Sequence, residues 1–170
     1  MAKQEEESKK RTVLIAVDGS EHSDRAFDWY SKNFYQKGDE ILVFHAHELP
    51  TTLPATPYPY GFDFSDGWKH HLEESDKKAR VILESYYKKC QENNLKCRLI
   101  KENGNPGEAV CKVAKERNVD HVVMGSRGLG TVSRTLVGSV SDYCLHHVNV
   151  PVSVVPPPDR FQHHGFTNKN

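Results

Sequence analysis

Short apolar runs alternate with helical patterns along most of this chain, and this alternation constrains its fold more than any other feature. Thr12–Val17 is a continuous apolar run that is typical of a strand buried on both faces, and Glu40–His47 contains a second buried strand, Ile41–Phe44. Two further strands are predicted at Val119–Met124 and Pro151–Val155. Leu95–Ile100 instead alternates apolar with charged residues, which favours an edge strand with one face in water. Because helical segments separate these strands, the sequence predicts an α/β domain with a parallel sheet and right-handed crossovers.

The predicted helices have recognisable boundaries. Ser20 is expected to N-cap the first helix, in which apolar residues recur at helical spacing as far as Phe34. A long second helix is predicted from about Ser65 to Asn93. Asn105 followed by proline is a typical start for a third helix, and a fourth begins at or shortly before Gly138.

The length of 170 residues suits one domain with a substantial core. We assign that domain to residues 11–156. Residues 1–10 carry six charges and are expected to be a disordered tail, as are residues 157–170. Residues 48–67 contain four prolines and several aromatic residues, and this loop is too long for an ordinary connection. It is expected to be a lid or a mobile insertion.

Composition excludes several classes of function. Lys and Arg total 23, as do Asp and Glu, so a broad electrostatic attraction for nucleic acid is not expected. No stretch approaches the roughly 20 apolar residues of a membrane span. The charged N-terminus lacks the apolar region of a signal peptide. The four cysteines have no zinc-site spacing, and reduced thiols in the cytoplasm are expected.

Glycine and serine residues after the fourth strand are the main pointer to chemistry. Gly125, Gly128 and the pair Gly138-Ser139 follow the pattern G-x2-G-x9-G-S. Bare backbone N–H groups near a helix start attract anions such as a nucleotide phosphate. The donors expected to hold phosphate oxygens are the N–H groups of Gly128, Ser139 and Val140 and the hydroxyls of Ser139 and Ser141.

Two general phosphate motifs are absent, and a simpler reading exists. The chain has no G-x4-G-K-[ST] segment, so it lacks the lysine of a P-loop. Gly128-Leu129-Gly130 begins like a dinucleotide fingerprint, but Ser133 stands where that pattern requires its last glycine. The alternative is that the glycines serve only tight turns at positive φ.

The chain resembles the universal stress protein family, in its ATP-binding type. The residues that carry the resemblance are Ile15–Ser20, Phe44–His47, the glycine and serine motif at 125–139, and Pro151–Val155. The resemblance extends over about residues 11–156. It implies a single Rossmann-like domain with an open five-stranded parallel sheet in the order 3-2-1-4-5 and helices on both faces.

The resemblance also implies ATP in the crevice between strands one and four, with Mg²⁺ or Mn²⁺ held mainly by the phosphates and no metal held by protein side chains. Asp18 would bind the ribose or the adenine edge, and Ala46 would contact adenine through its backbone. The residues that carry over to the adenine and ribose are Ala16, Val17, Asp18, Ala46 and Met124. Those that carry over to the ribose and phosphates are Gly125, Arg127, Gly128, Gly138, Ser139, Val140 and Ser141. A homodimer through the last strand is implied as well, at Val152, Val154 and Val155.

Histidines and Asp18 allow other chemistry. His45 and His47 alternate along the second strand and therefore share a face, but no carboxylate or cysteine stands at a ligand spacing from them. We favour a packed strand residue over a metal ligand for His45. Asp18 could be a general base, and its role as a hydrogen-bond acceptor for the turn and the ligand is favoured.

Three functions stay open at this point. The first is an ATP-binding regulatory module of the stress response that acts through a protein partner of unknown identity. The second is a slow ATPase on the same site. The third is a dimeric interaction scaffold that needs no nucleotide. Because the sequence offers no convincing carboxylate pair for Mg²⁺, we expect the protein to hold the nucleotide rather than split it.

Overall fold

The computed structural model describes residues 10–47, 64–127 and 137–157, with no side-chain description for 64–68 and 71. The five strands form one sheet in the order β3-β2-β1-β4-β5, and every pair is parallel. Their bounds are β1 Thr12–Ala16, β2 Glu40–His47, β3 Cys97–Asn103, β4 His121–Gly125 and β5 Val152–Val155. The predicted fold class is therefore confirmed, including the strand order.

Helices cover both faces of the sheet. Their bounds are α1 Glu21–Trp29, α2 Phe64–Glu92, α3 Pro106–Glu116 and α4 Ser139–His147. One core cluster joins residues of β1 such as Val13 to Phe27 of α1 and Tyr86 of α2. A second cluster on the other face joins Leu14 of β1 to Val110 of α3 and to α4. Alternate residues of β1 thus enter opposite cores, which explains why its sequence is apolar throughout.

Two predicted helix caps are confirmed by hydrogen bonds. The Ser20 hydroxyl oxygen accepts the N–H of Ser23 at 3.2 Å, at the start of α1. The Asn105 side-chain oxygen accepts the N–H of Gly107 at 3.0 Å, at the start of α3. Each cap satisfies a first-turn donor that has no partner within its own helix.

The first helix does not continue to Phe34 as an α-helix. After Trp29 the chain forms a π-helix over Tyr30–Phe34, where the N–H of Tyr35 donates to the carbonyl of Tyr30 at 2.8 Å. The Tyr30 ring is fully buried and its hydroxyl donates to Asp39 at 2.7 Å. The wider turn accommodates this buried contact, which helical periodicity alone does not reveal.

The third strand begins later than predicted. The N–H of Leu95 donates to the carbonyl of Cys90 at 2.8 Å, and Asn94 has a φ of 55°. Leu95 therefore belongs to the turn that closes α2, and the ladder with β2 begins at Cys97 opposite Ile41. The edge position of β3 is confirmed. Leu99, predicted on the covered face, is 38% exposed.

Some predictions lie outside the described residues. They are the structure of the tail at 1–9 and 158–170, most of the 48–67 loop, and Gly128. The last four residues assigned to that loop, 64–67, belong to α2.

An ion pair with a buried carboxylate lies at the end of the sheet where the parallel strands begin. Arg11 donates to both Asp39 carboxylate oxygens, at 3.0 and 2.7 Å, and the Asp39 side chain is only 2% exposed. Tyr30 and the Gln36 N–H also donate to Asp39, at 2.7 and 3.1 Å. Burial opposes ionisation of Asp39, but the hydrogen bonds from Arg11, Tyr30 and Gln36 outweigh it and lower the pKa of Asp39.

Candidate functional site

A cavity of about 810 Å³ opens at the carboxyl edge of the sheet. It lies where β1 has β2 on one side and β4 on the other, and the crevice outside the strand ends at such a point is the usual ligand site of an open α/β sheet. Every residue predicted for the nucleotide that the structure describes lines it: Ala16, Val17, Asp18, Ala46, Met124, Gly125, Arg127, Gly138, Ser139, Val140 and Ser141.

The end of β1 is held in a fixed position beside the cavity. The N–H of Val17 donates to the carbonyl of Phe44 at 2.8 Å, which extends the pairing with β2 past Ala16. One Asp18 carboxylate oxygen accepts both the N–H of Ser20 at 3.0 Å and the Ser20 hydroxyl at 2.6 Å. Because Ser20 also caps α1, Asp18 is anchored by the turn that starts that helix.

The end of β4 is tied directly to the start of α4. The N–H of Gly138 donates to the carbonyl of Ser126 at 2.6 Å, and the Ser141 hydroxyl donates to the carbonyl of Gly138 at 2.9 Å. These bonds bring the two halves of the glycine and serine motif together. The Ser141 hydroxyl therefore bonds to the backbone inside this turn, whereas Ser139 is exposed.

The start of α4 is suited to an anion. Gly138 is its N-cap and, within the described residues, provides no side-chain cap, in contrast to Ser20 and Asn105. First-turn N–H groups of a helix have no intrahelical partner, and the helix dipole places partial positive charge there. The N–H groups of Ser139 and Val140 thus provide donors at the wall of the cavity.

The glycines have a packing role that differs from turns at positive φ. A Cβ on Gly125 would lie 2.7 Å from the backbone carbon and oxygen of His22, at the start of α1. Gly138 has a φ of −76°, which any residue adopts, and a Cβ there would lie 3.2 Å from the Ser126 oxygen and the Arg127 Cα. Both glycines therefore permit close approach of backbone segments around the cavity.

Helix α2 contributes a wall that the sequence analysis missed. Ser75, Lys78, Ala79 and Ile82 line the cavity. Their spacing of three, four and seven residues from Ser75 places them on one face of a helix, so this face could have been found from the sequence. Lys78 adds a positive charge, although its ammonium also pairs with Glu74 at 3.4 Å.

His45 is both a packed strand residue and part of the cavity wall. It is 9% exposed, and its Nδ1–H donates to the carbonyl of Val17 at 2.8 Å. In a neutral ring this bond makes Nε2 an acceptor. His47 is also buried, and this burial, with the charge of Lys101, lowers the pKa of His47. Within the described residues, no three His, Cys, Asp or Glu side chains are placed to hold a metal ion.

Within the part of the chain that the structure describes, no helix is long and apolar enough to cross a bilayer.

Comparison with known proteins identifies the family. A sequence model of the Universal stress protein family matches residues 10–156. A universal stress protein from Synechocystis sp. is 32% identical over 147 residues, which cover 84% of this chain and 96% of that protein. The crystal structure of a universal stress protein family protein from Arabidopsis thaliana with AMP bound superposes with a TM-score of 0.61 at 23% identity, covering 85% of this chain and 90% of that one.

A universal stress protein in complex with cAMP also superposes with a TM-score of 0.61, at 22% identity, and covers 85% of this chain and 96% of that one. The family match spans nearly all of the described domain, and the sheet has the strand order that the resemblance implied. The chain therefore belongs to the universal stress protein family.

Proposed function

We propose that this protein binds ATP at the carboxyl edge of its sheet and acts as a regulatory module of the stress response in the cytoplasm. The observation that carries this proposal is the cavity, which gathers the predicted residues of β1, β2 and β4 around a helix start whose N-cap, Gly138, lacks a capping side chain. Its volume of about 810 Å³ lies within the range of small-molecule pockets, roughly 300–1,000 Å³. AMP and cAMP in two solved members of the family support the same ligand class.

The cavity wall offers separate surroundings for each part of a nucleotide. Ala16, Ala46 and Met124 provide an apolar surface for the base, and Asp18 provides an acceptor for ribose hydroxyls. The start of α4 and the cations of Arg127 and Lys78 suit the phosphates. We assign the Mg²⁺ or Mn²⁺ mainly to the phosphates, as the family resemblance implies.

Calorimetric titration with Mg-ATP tests the proposal, and two substitutions at Ser139 separate its donors. We expect Ser139→Pro to weaken binding by about 10- to 100-fold, since it removes an N–H that would bond a charged phosphate. Proline is favoured at this first helical position, and the ψ of 161° at Gly138 is compatible with a following proline. Ser139→Ala removes the hydroxyl alone and is expected to cost less.

Two results of that titration would count against the proposal. Absence of binding by the unmodified chain at millimolar Mg-ATP would refute nucleotide binding itself. If Ser139→Pro keeps both its affinity for Mg-ATP and its unfolding temperature, the start of α4 does not bind the phosphates. Phosphate release is measured in the same samples, because steady release that Ser139→Pro abolishes would make the protein a slow ATPase.

We also propose a homodimer through β5. Val122 and Ser126 of the β4 side donate to the carbonyls of Pro151 and Val155. Since a residue in a parallel strand directs its N–H and C=O to the same side, and neighbours alternate, the backbone groups of Val152 and Val154 point to the open edge. A second copy of the chain could pair with this edge.

We expect Val154→Pro to yield a monomer, because proline removes an edge donor but leaves the ladder to β4 intact. Multi-angle light scattering measures the mass, and Val154→Ala, which keeps the donor, is the matched control. An unmodified chain that is monomeric at the same concentration would refute the dimer.

A further inference from the structure

The pairing between β1 and β2 ends before β2 does. Strand β2 continues to His47 and pairs with β3 as far as His47 opposite Asn103. Its ladder with β1 ends at Ala16 opposite Phe44, and the last bond runs from the Val17 N–H to the Phe44 carbonyl. The final residues of β2 therefore extend past this ladder at the edge of the cavity.

The direction of the backbone groups shows which of them are left open. Phe44 directs its carbonyl to β1, whereas His47 directs its carbonyl to β3, where it accepts the N–H of Gly104 at 3.1 Å. Because neighbouring residues of a strand face alternate sides, Ala46 directs both its N–H and its C=O toward β1. In a longer parallel ladder the Ala46 N–H would donate to the carbonyl of Val17.

A side chain takes that carbonyl instead. The Nδ1–H of the His45 ring donates to the Val17 carbonyl at 2.8 Å, and His45 is buried. The Ala46 N–H has no hydrogen-bond partner among the described residues, and Ala46 lines the cavity. The His45 ring therefore holds the position that the Ala46 N–H would have in a longer ladder.

We propose that His45 is a positioning residue, which keeps the Ala46 N–H available to the ligand by holding the Val17 carbonyl. If the ring no longer donated, the carbonyl and the N–H would both lack a partner, and such backbone groups pair when they can. The ladder would then close over Ala46 and withdraw its donor from the cavity.

The freed groups favour one class of base, and this step rests on the nucleotide binding proposed above. The N–H and C=O of Ala46 form a donor and an acceptor side by side. A 6-aminopurine offers the complementary pair, since its N1 accepts and its amino group donates. A 6-oxopurine has a donor at N1 and an acceptor at position 6, so both of its bonds would be mismatched. A site built to bond particular groups rejects such an analogue.

Hydrogen exchange followed by NMR, without nucleotide, tests the positioning of Ala46. In the unmodified chain the Ala46 amide should exchange much faster than that of Phe44, which lies within the ladder. We expect His45→Leu, which removes the donor, to slow exchange at Ala46 by at least about tenfold. His45→Asn should keep exchange fast, because its amide nitrogen is as many bonds from the backbone as Nδ1.

Two results would overturn the positioning role. The first is an Ala46 amide that is as protected as that of Phe44 in the unmodified chain, which needs no variant to fold. The second is unchanged exchange at Ala46 in His45→Leu while the Phe44 amide stays protected, because the ladder is then intact and has not closed over Ala46.

Calorimetric titration with Mg-ATP and with magnesium inosine triphosphate, a 6-oxopurine nucleotide, tests the selectivity. We expect the unmodified chain to prefer ATP, and His45→Leu to weaken ATP by about 5- to 100-fold with little effect on inosine triphosphate. His45→Asn should restore the preference. An equal loss for both nucleotides in His45→Leu would make His45 merely structural, contrary to the proposal.

Failure of this inference is distinguishable from failure of nucleotide binding. If the unmodified chain binds neither nucleotide, the proposed function and the base selectivity are both wrong, whatever the exchange data show. If it binds ATP while the Ala46 amide is protected, nucleotide binding stands and the role of His45 is refuted.

Discussion

Replacing Ala46 by leucine is expected to weaken binding of Mg-ATP by about 10- to 100-fold, because the larger side chain would occupy the space assigned to the base. Ala46 is partly exposed at the end of β2 and lines the cavity beside Ala16. Overpacking of a fitted site costs about 1–3 kcal/mol, and each 1.4 kcal/mol is about tenfold in affinity. Calorimetric titration measures the change.

A matched control separates loss of the cavity from loss of the fold. Val81 lies on the same helix as the cavity-lining Lys78 but is 58% exposed, and Val81→Leu also adds apolar bulk. We expect Val81→Leu to bind like the unmodified chain and both variants to unfold at similar temperatures. If Ala46→Leu binds Mg-ATP with unchanged affinity, the base does not lie against Ala46.

The Asp39→Ala substitution is expected to lower the free energy of unfolding by about 3–5 kcal/mol, the usual cost of removing one partner of a buried ion pair. The change leaves the Arg11 guanidinium and the Tyr30 hydroxyl without the carboxylate to which both donate. For a domain of this size the unfolding temperature should fall by roughly 6–20 °C. Thermal unfolding followed by circular dichroism measures it.

The same carboxylate predicts how stability depends on pH. Its hydrogen bonds lower the pKa of Asp39 in the folded state below its value of 3.8 in the unfolded chain. The stabilisation is therefore fully present above about pH 5, where the carboxylate is ionised in both states, and is lost as pH falls through the folded pKa. Asp39→Asn keeps the shape but cannot titrate. Its stability should depend less on pH below about pH 4 than that of the unmodified chain, and an identical dependence would show that Asp39 contributes nothing.

Much of the fold could be predicted because local patterns and tertiary packing agree. The predicted strand Ile41–Phe44 is the buried centre of β2, because this run is continuously apolar and buried, and β2 extends beyond it to Glu40 and His47. The Asn105 cap of α3 follows from residue chemistry alone. The start of β3 does not, because Leu95 continues the alternation of the strand while its N–H closes the preceding helix. The alternation of apolar and charged residues therefore does not show whether a residue belongs to the turn or to the hydrogen-bonded strand.

The site was predictable in its strand ends and less so in its walls. Asp18 and Gly125 could be placed at the carboxyl ends of β1 and β4, because each directly follows a predicted apolar strand in the sequence. The need for glycine at 125 depends on His22, which only the packing of α1 brings there. The α2 wall was missed because its amphipathic pattern also describes an ordinary core-facing helix, and the side chains that reach a cavity have the same spacing as those that fill a core.

The ion pair between Arg11 and Asp39 lies where the strands begin. The cavity lies at the other end of the same strands, where they finish. A substitution that alters the ligand therefore need not disturb the charges that hold the strand starts together. Ligand preference and the stability of the strand starts can therefore be altered by separate sets of substitutions, one at each end of the strands.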